Sequence, residues 1–316
     1  MTVVMTLVVR DEADIVDAQI AYHLNAGVDF VIATDHESRD GTTEILESYV
    51  RAGYLLRIPV QGEARESAWR THMARLAATE YGAEWVIPSR ADEFWWPRGE
   101  SLGDVLAVIP QRYGVVQALI RTFSSRAGDH AFFAERMTAR PSLHAADEEE
   151  RELSAWLRPV HRADPRIEID AAGLTLGERL VPLRAWYPIE VLHFPRRVPE
   201  DGDEERLVHG LEDGSLVEDV RLRDALRALR VQPDPESAGA GTGFVLPPDG
   251  VRRLGLRAPN IVDDASYAVE CAAVGEVDLV RLDRHIRELE GRIAWLEARF
   301  WPRVLRRLTR LGRRPR

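Results

Sequence analysis

Along the first hundred positions, short apolar blocks alternate with stretches whose apolar residues recur three or four apart. Val3 to Val9 suits a buried strand, and Arg10-Asp11-Glu12 closes it. From Ala13 to Ala26 the residues Ile15, Val16, Ile20 and Leu24 mark one side of a helix, and Gly27 supplies a left-handed stop. Phe30 to Ala33 reads as a second strand, ended by the turn Thr34 to Thr42, and Ile45, Leu46, Tyr49 and Val50 then line a second helix up to Gly53. Tyr54 to Ile58 gives a third strand and Glu63 to Tyr81 a third helix. Trp85-Val86-Ile87 gives a fourth strand that stops at Pro88-Ser89-Arg90. Strands alternating with helices over short connections predict an α/β fold: a Rossmann-like, mostly parallel sheet with helices on both faces and right-handed crossovers.

The pattern is harder to follow after residue 100. Gly114 to Ile120 and Ala131 to Met137 read as strands, Ala145 to Glu152 as a charged loop or helix face over the sheet edge, and the run from Trp186 as a strand ending near His193. Beyond Glu200 the composition changes. Leu216 to Leu229 reads as a helix, and Pro233 to Gly250 as a Pro/Gly-rich connection. Leu279, Leu282, Ile286, Leu289, Ile293, Leu296 and Phe300 form a heptad seam, which predicts self-association through 279–300, with a single helix packed along the catalytic domain as the alternative. Pro302 breaks it, and Val304, Leu305, Leu308 and Leu311 interleave with arginines over 303–316, as a basic amphipathic helix suited to peripheral membrane contact or as a disordered tail. The expected organisation is a catalytic domain over 1–200, a connecting region over 201–275 and a helical extension over 276–316.

Charge sharpens this division. The chain has 316 residues and a net charge of −10, with 45% hydrophobic and 30% charged residues, a globular composition. Every Lys-or-Arg position is arginine, and the last fourteen positions carry about +7, leaving about −17 on the rest. So acidic a body argues against general nucleic-acid binding. The single cysteine, Cys271, excludes an internal disulfide framework and a cysteine-based zinc site. The opening apolar run is too short for a secretory leader and no stretch reaches the length of a membrane span, so a soluble cytoplasmic protein is expected.

In a parallel sheet the strand ends share one edge, where ligands of open α/β folds gather. Asp11 and Glu12, then Asp35 and Asp40, then Asp92 and Glu93 all follow predicted strands. Asp35 and Asp40 suit hydroxyl or base acceptors, with an ordinary turn and helix cap as the alternative for Asp40-Gly41-Thr42-Thr43. Asp92 and Glu93 suit a divalent cation, or else cap a turn and the helix near Ser101. The trio Phe94, Trp95 and Trp96 reads either as a pocket floor or as core. No Walker-type or dinucleotide glycine fingerprint is present, against a P-loop enzyme or a dehydrogenase.

The segment Asp35-His36-Glu37-Ser38-Arg39-Asp40-Gly41-Thr42 resembles the D-D-G-S-x-D-G-T segment of nucleotide-sugar glycosyltransferases of the GT-A fold. The run from Val8 to Asp14 and the run from Trp85 to Pro97 are similar to the glycosyltransferase family-2-like group associated with family 92, and the resemblance extends over about residues 3 to 200. It implies that Asp11 or Glu12 and Asp35 contact the base and ribose of a nucleotide sugar. It also implies that the turn at residues 90 to 92 holds a divalent cation, Mn²⁺ or Mg²⁺, on the diphosphate, with His193 completing the site. One position departs from the family: Arg90-Ala91-Asp92 stands where the resemblance has Asp-x-Asp, so a permanent cation replaces the first carboxylate. Arg90 itself can pair with a diphosphate, as can Arg196 and Arg197. The expected activity is sugar transfer to an unidentified acceptor, with Glu135 as the base. The alternatives are a non-catalytic nucleotide-sugar-binding scaffold and a nucleotidyltransferase on a similar sheet.

Overall fold

In the computed structural model the described residues are 1–126, 132–142, 157–170, 173–175, 181–183, 186–195, 203–231 and 242–247. Arg196, Arg197, the charge run, the heptad seam, the basic tail and Cys271 lie outside them. The first half alternates strictly: β1 (Val3–Val9), α1 (Val16–Asn25), β2 (Phe30–His36), α2 (Thr42–Arg51), β3 (Leu55–Val60), α3 (Glu66–Thr79) and β4 (Trp85–Arg90). There follow β5 (Glu93–Pro97), α4 (Leu102–Ala107), β6 (Tyr113–Thr122), the single turn α5 (Phe133–Arg136), β7 (Ala139–Pro141), β8 (Leu157–Arg162), β9 (Glu168–Asp170) and β10 (Gly173–Thr175). The described elements end with β11 (Val181–Leu183), β12 (Ile189–His193), α6 (Asp203–Glu212), β13 (Leu216–Glu218) and α7 (Arg221–Leu229).

The main sheet runs β3-β2-β1-β4-β8-β6-β12-β5, with β11 beside β6. The pairs β3-β2, β2-β1, β1-β4 and β6-β12 are parallel, whereas β8 is antiparallel to both neighbours and β5 is antiparallel to β12. Only Ala91 and Asp92 separate β4 from β5 in the chain, yet these strands hold the fourth and last places in the order, so the sheet curls until its far edge returns to the end of β4. That curl brings β12 beside the Asp92 turn.

Both faces are packed. Val4, Ile32 and Val86 meet Met73, Ala74 and Ala77 of α3 on one side. On the other, α1 is buried almost all round, since the sheet, α2 and α7 surround it. Its Tyr22 stacks on Trp96 at 5.9 Å between ring centroids, and its His23 accepts a hydrogen bond from the Trp95 N–H at 2.9 Å. With Nε2 accepting, Nδ1–H donates to the Gln19 carbonyl at 2.7 Å, and burial pushes the imidazole pKa down to about 3. Neutral His23 thus seals a core that a charged ring would disrupt.

Three local expectations change. Phe94, Trp95 and Trp96 form core, not a pocket floor, because β5 is buried along its whole length. Within the predicted strand Ala131 to Met137, the chain instead turns as α5, where Phe133 packs its ring on Phe94 and Phe194. Leu216 to Leu229 divides into β13 and α7, because Leu216 to Glu218 pairs with Ala139 to Pro141.

A buried ion cluster ties α7 to the sheet. Glu190, in the middle of an apolar strand, accepts hydrogen bonds from Arg98 at 3.0 Å, Arg121 at 2.9 Å and Arg221. Burial opposes its ionisation, but the charges of Arg221, Arg121 and Arg98 outweigh this and hold the carboxyl well below the usual range. Arg221 in turn meets Asp219, which also accepts from Arg140 at 2.8 Å.

Candidate active site

The carboxyl ends of β1, β2 and β4 are level: Val9 is in register with Asp35, and Val8 with Arg90. At the first two ends the carboxylates are engaged by protein. Asp35 is buried and accepts from the Thr43 hydroxyl at 2.7 Å, from Arg57 at 2.9 Å and from the Ser38 N–H at 3.3 Å. Burial raises its pKa, and these hydrogen bonds more than reverse the effect. Asp40 accepts from the Ala13 N–H, the Thr42 N–H and the Thr42 hydroxyl at 2.9, 3.0 and 2.6 Å, so it clasps the loop after β1 to the start of α2. Asp11 accepts from the Arg39 N–H at 2.7 Å, and the Glu12 N–H donates to Thr42 at 2.8 Å. Asp11 (φ 53°) and Glu37 (φ 52°) adopt the left-handed backbone that non-glycine residues seldom take, one on each side of this clasp.

The third end differs. Asp92 follows β4, and its Oδ2 lies 3.4 Å from His193 Nε2 while its Oδ1 accepts from Arg90 Nε at 3.2 Å. His193 ends β12, directly opposite Glu93, and its Nδ1 lies 3.4 Å from the Thr122 hydroxyl at the end of β6. Burial pushes the Asp92 carboxyl up, but the His193 hydrogen bond and the Arg90 charge prevail and hold its pKa down to about 2. Arg90 is half exposed, and among the described residues its terminal guanidinium nitrogens have no hydrogen-bond partner. Asp92, His193, Arg90 and Thr122 therefore form one cluster drawn from three strand ends.

Two other sequence candidates do not join it. Glu93 turns inward and is 1% exposed, with one oxygen accepting from Arg158 at 2.8 Å and the other from the Arg90 N–H at 3.2 Å. Glu135 sits on α5 and pairs with Arg227 of α7. Nor do Asp92 and Glu93 cap α4: Ser101 does, its hydroxyl accepting the Asp104 N–H at 3.0 Å. Thr122 escaped the sequence reading, although its place at the end of an apolar strand was a usable signal. No group of three or more His, Cys, Asp or Glu side chains converges on a common point among the described residues. Asp92 Oδ2 and His193 Nε2 nevertheless face each other 3.4 Å apart, a separation that suits two ligands of one cation.

Residues 4–113 match glycosyltransferase family 92. The chain is thus family-92-like from β1 to the start of β6, a stretch that holds Arg90 and Asp92, while Thr122 and His193 fall beyond it. The sheet order and strand-end site agree with a GT-A-like α/β fold. No curated protein matches the sequence. Among solved structures, S. aureus TarS 1-349 in complex with UDP is 15% identical, with 62% of this chain and 62% of that chain covered and a TM-score of 0.39. The same protein in complex with UDP-GlcNAc is 15% identical over 72% of this chain and 70% of that one, with a TM-score of 0.40. GalNAc-T7 with UDP, GalNAc and Mn²⁺ is 13% identical over 66% of this chain and 48% of that one, with a TM-score of 0.36. The chain spans about three fifths of the first of these.

Proposed function

We propose that this chain is a glycosyltransferase that moves a sugar from a nucleotide-sugar donor to an acceptor hydroxyl, with the donor diphosphate seated at the Asp92–His193–Arg90 cluster. The observation that carries the proposal is this cluster at the shared carboxyl edge of β4 and β12, inside and beside a family-92-like segment. Asp92 and His193 would hold Mn²⁺ or Mg²⁺, which when bound supplies positive charge to the leaving diphosphate. Arg90 adds a permanent cation whose free edge can take phosphate oxygens in a two-pronged contact. Thr122 orients His193 by approaching its other ring nitrogen, fixing which nitrogen faces Asp92. The acids of the first two strand ends shape the loops around the nucleotide through their clasp.

The test uses the full chain and a panel of nucleotide sugars, with and without Mn²⁺, read by thermal shift and by release of nucleoside diphosphate. A ligand that binds only the folded state raises the melting temperature by mass action. We expect a shift with one donor class, diphosphate release, and a loss of both in Asp92→Ala and Arg90→Ala. Absence of any shift at millimolar nucleotide would overturn the proposal. The ion pair of Arg90 with Asp92 also favours a second reading, a nucleotide-sugar binder without turnover; binding with no release of nucleoside diphosphate would select it.

A further inference from the structure

Beside the diphosphate cluster, a cleft of 390 Å³ opens where β6 and β12 end. Thr122 lines it, so the cleft connects to Asp92 through two contacts of 3.4 Å each, Thr122 to His193 and His193 to Asp92. From this geometry we infer that the cleft receives the acceptor, and that the acceptor is an uncharged, polyhydroxylated group such as the end of a glycan. The inference rests on the donor assignment above for its chemistry, but the cleft can be judged separately.

Its volume falls in the range of small-ligand sites and suits one or two sugar rings. The chain from the end of β6 lines it with Thr122, Ser124 and Ser125, of which Ser124 is exposed. From α6 come Asp203 and Arg206, a carboxylate and a guanidinium that meet at 2.9 Å. Such pairs bind neighbouring sugar hydroxyls, which both donate and accept. Leu207 and Pro195 supply apolar surface for a ring face.

Charge disfavours an anionic acceptor. The two charged residues of the lining, Asp203 and Arg206, pair with each other, and Glu204 and Glu205 beside them in the first turn of α6 add negative charge that opposes a phosphate or carboxylate. A larger cavity, of 530 Å³, lies along α2, but Asp17, Glu44 and Glu47 line it and it touches none of the strand-end cluster.

Saturation-transfer NMR on the full chain tests the inference, with UDP, methyl β-glucoside, methyl β-galactoside and glucose 6-phosphate as probes. We expect signal on at least one methyl glycoside, none on glucose 6-phosphate, loss of glycoside signal in Ser124→Trp, and weakening in Arg206→Ala. Both substituted side chains are exposed, so neither change removes core. Glycoside signal undiminished in both variants, silence of every glycoside with the unaltered chain, or stronger signal on glucose 6-phosphate overturns the inference. The UDP signal reports on the donor reading in the same tube: its absence counts against that reading alone, while loss of glycoside signal in Ser124→Trp still supports the cleft.

Discussion

Two acidic turns stand on the same sheet edge, and they use their carboxylates in opposite ways. Around Asp35 and Asp40, the carboxylates accept from backbone N–H groups, hydroxyls and Arg57, and so knit two loops together. At Asp92, the partners are a histidine and an arginine, the terminal guanidinium nitrogens of the arginine have no hydrogen-bond partner, and no backbone N–H donates to the carboxylate among the described residues. The first turn is therefore a fastening, and the second is the turn at which the proposed function seats its ligand. The stretch that resembles a binding motif thus also holds the loops in shape, while the departure from the motif, Arg90, keeps guanidinium nitrogens without a hydrogen-bond partner among the described residues.

The largest effect that would sharpen this contrast comes from Asp92→Asn. Release of nucleoside diphosphate should fall by about 100-fold or more, the loss usual for a group that acts on developing charge. The melting temperature should fall modestly, because His193 and Arg90 favour the ionised carboxylate in the folded chain and the amide forgoes that contribution. A fall in stability with unchanged turnover would break the comparison. Asp35→Asn should act chiefly on the fold, destabilising it by about 2 kcal/mol in urea unfolding, since Arg57 would keep only Glu47 as a full ionic partner. Asp40→Ala should cost about 1 kcal/mol, the scale of a lost helix-start hydrogen bond, and should speed amide exchange at Ala13 and Thr42.

The smallest effect separates the two turns from the core beneath them. His23 and His161 are buried, and burial lowers their pKa values to about 3 and about 4. The unfolded chain therefore binds protons first as pH falls through the ordinary histidine range near 6.5, and stability is lost downward from there, by about 1 kcal/mol or less for each histidine at pH 6. Asp35 and Asp40, whose pKa values are lowered by their hydrogen bonds, keep their contribution until pH drops below about 4. Melting curves between pH 7 and 3 should show this order. A flat response from pH 7 to 5 would show that His23 and His161 are solvated.

The sequence exposed much of the fold because the first four strands and three helices obey local rules. Uninterrupted apolar blocks, helical spacing and stops at Gly27 and Gly53 need no knowledge of the rest of the chain, and β1 to β4 form close to where they are read. Pro88 is carried inside β4 instead of ending it. Later elements were less legible because their partners are remote. Glu135 owes its surroundings to Arg227, and Leu216 to Glu218 form a strand only because residues 139–141 lie alongside. Glu190 was visible as an acid in an apolar run, but its three arginines come from separate segments that no spacing connects.

By itself, then, the sequence determined the alternation of strands and helices, and with it the gathering of Asp11, Asp35 and Asp92 on one edge, because parallel strands joined by right-handed crossovers share their carboxyl ends. Only the tertiary structure decided how each of those acids is partnered. That choice depends on hydrogen-bond donors brought from elsewhere: Arg57 to Asp35, Ala13 to Asp40, Arg158 to Glu93. It depends equally on the curl of the sheet, which pairs β12 with β5 and sets His193 beside Asp92, about a hundred residues earlier in the chain.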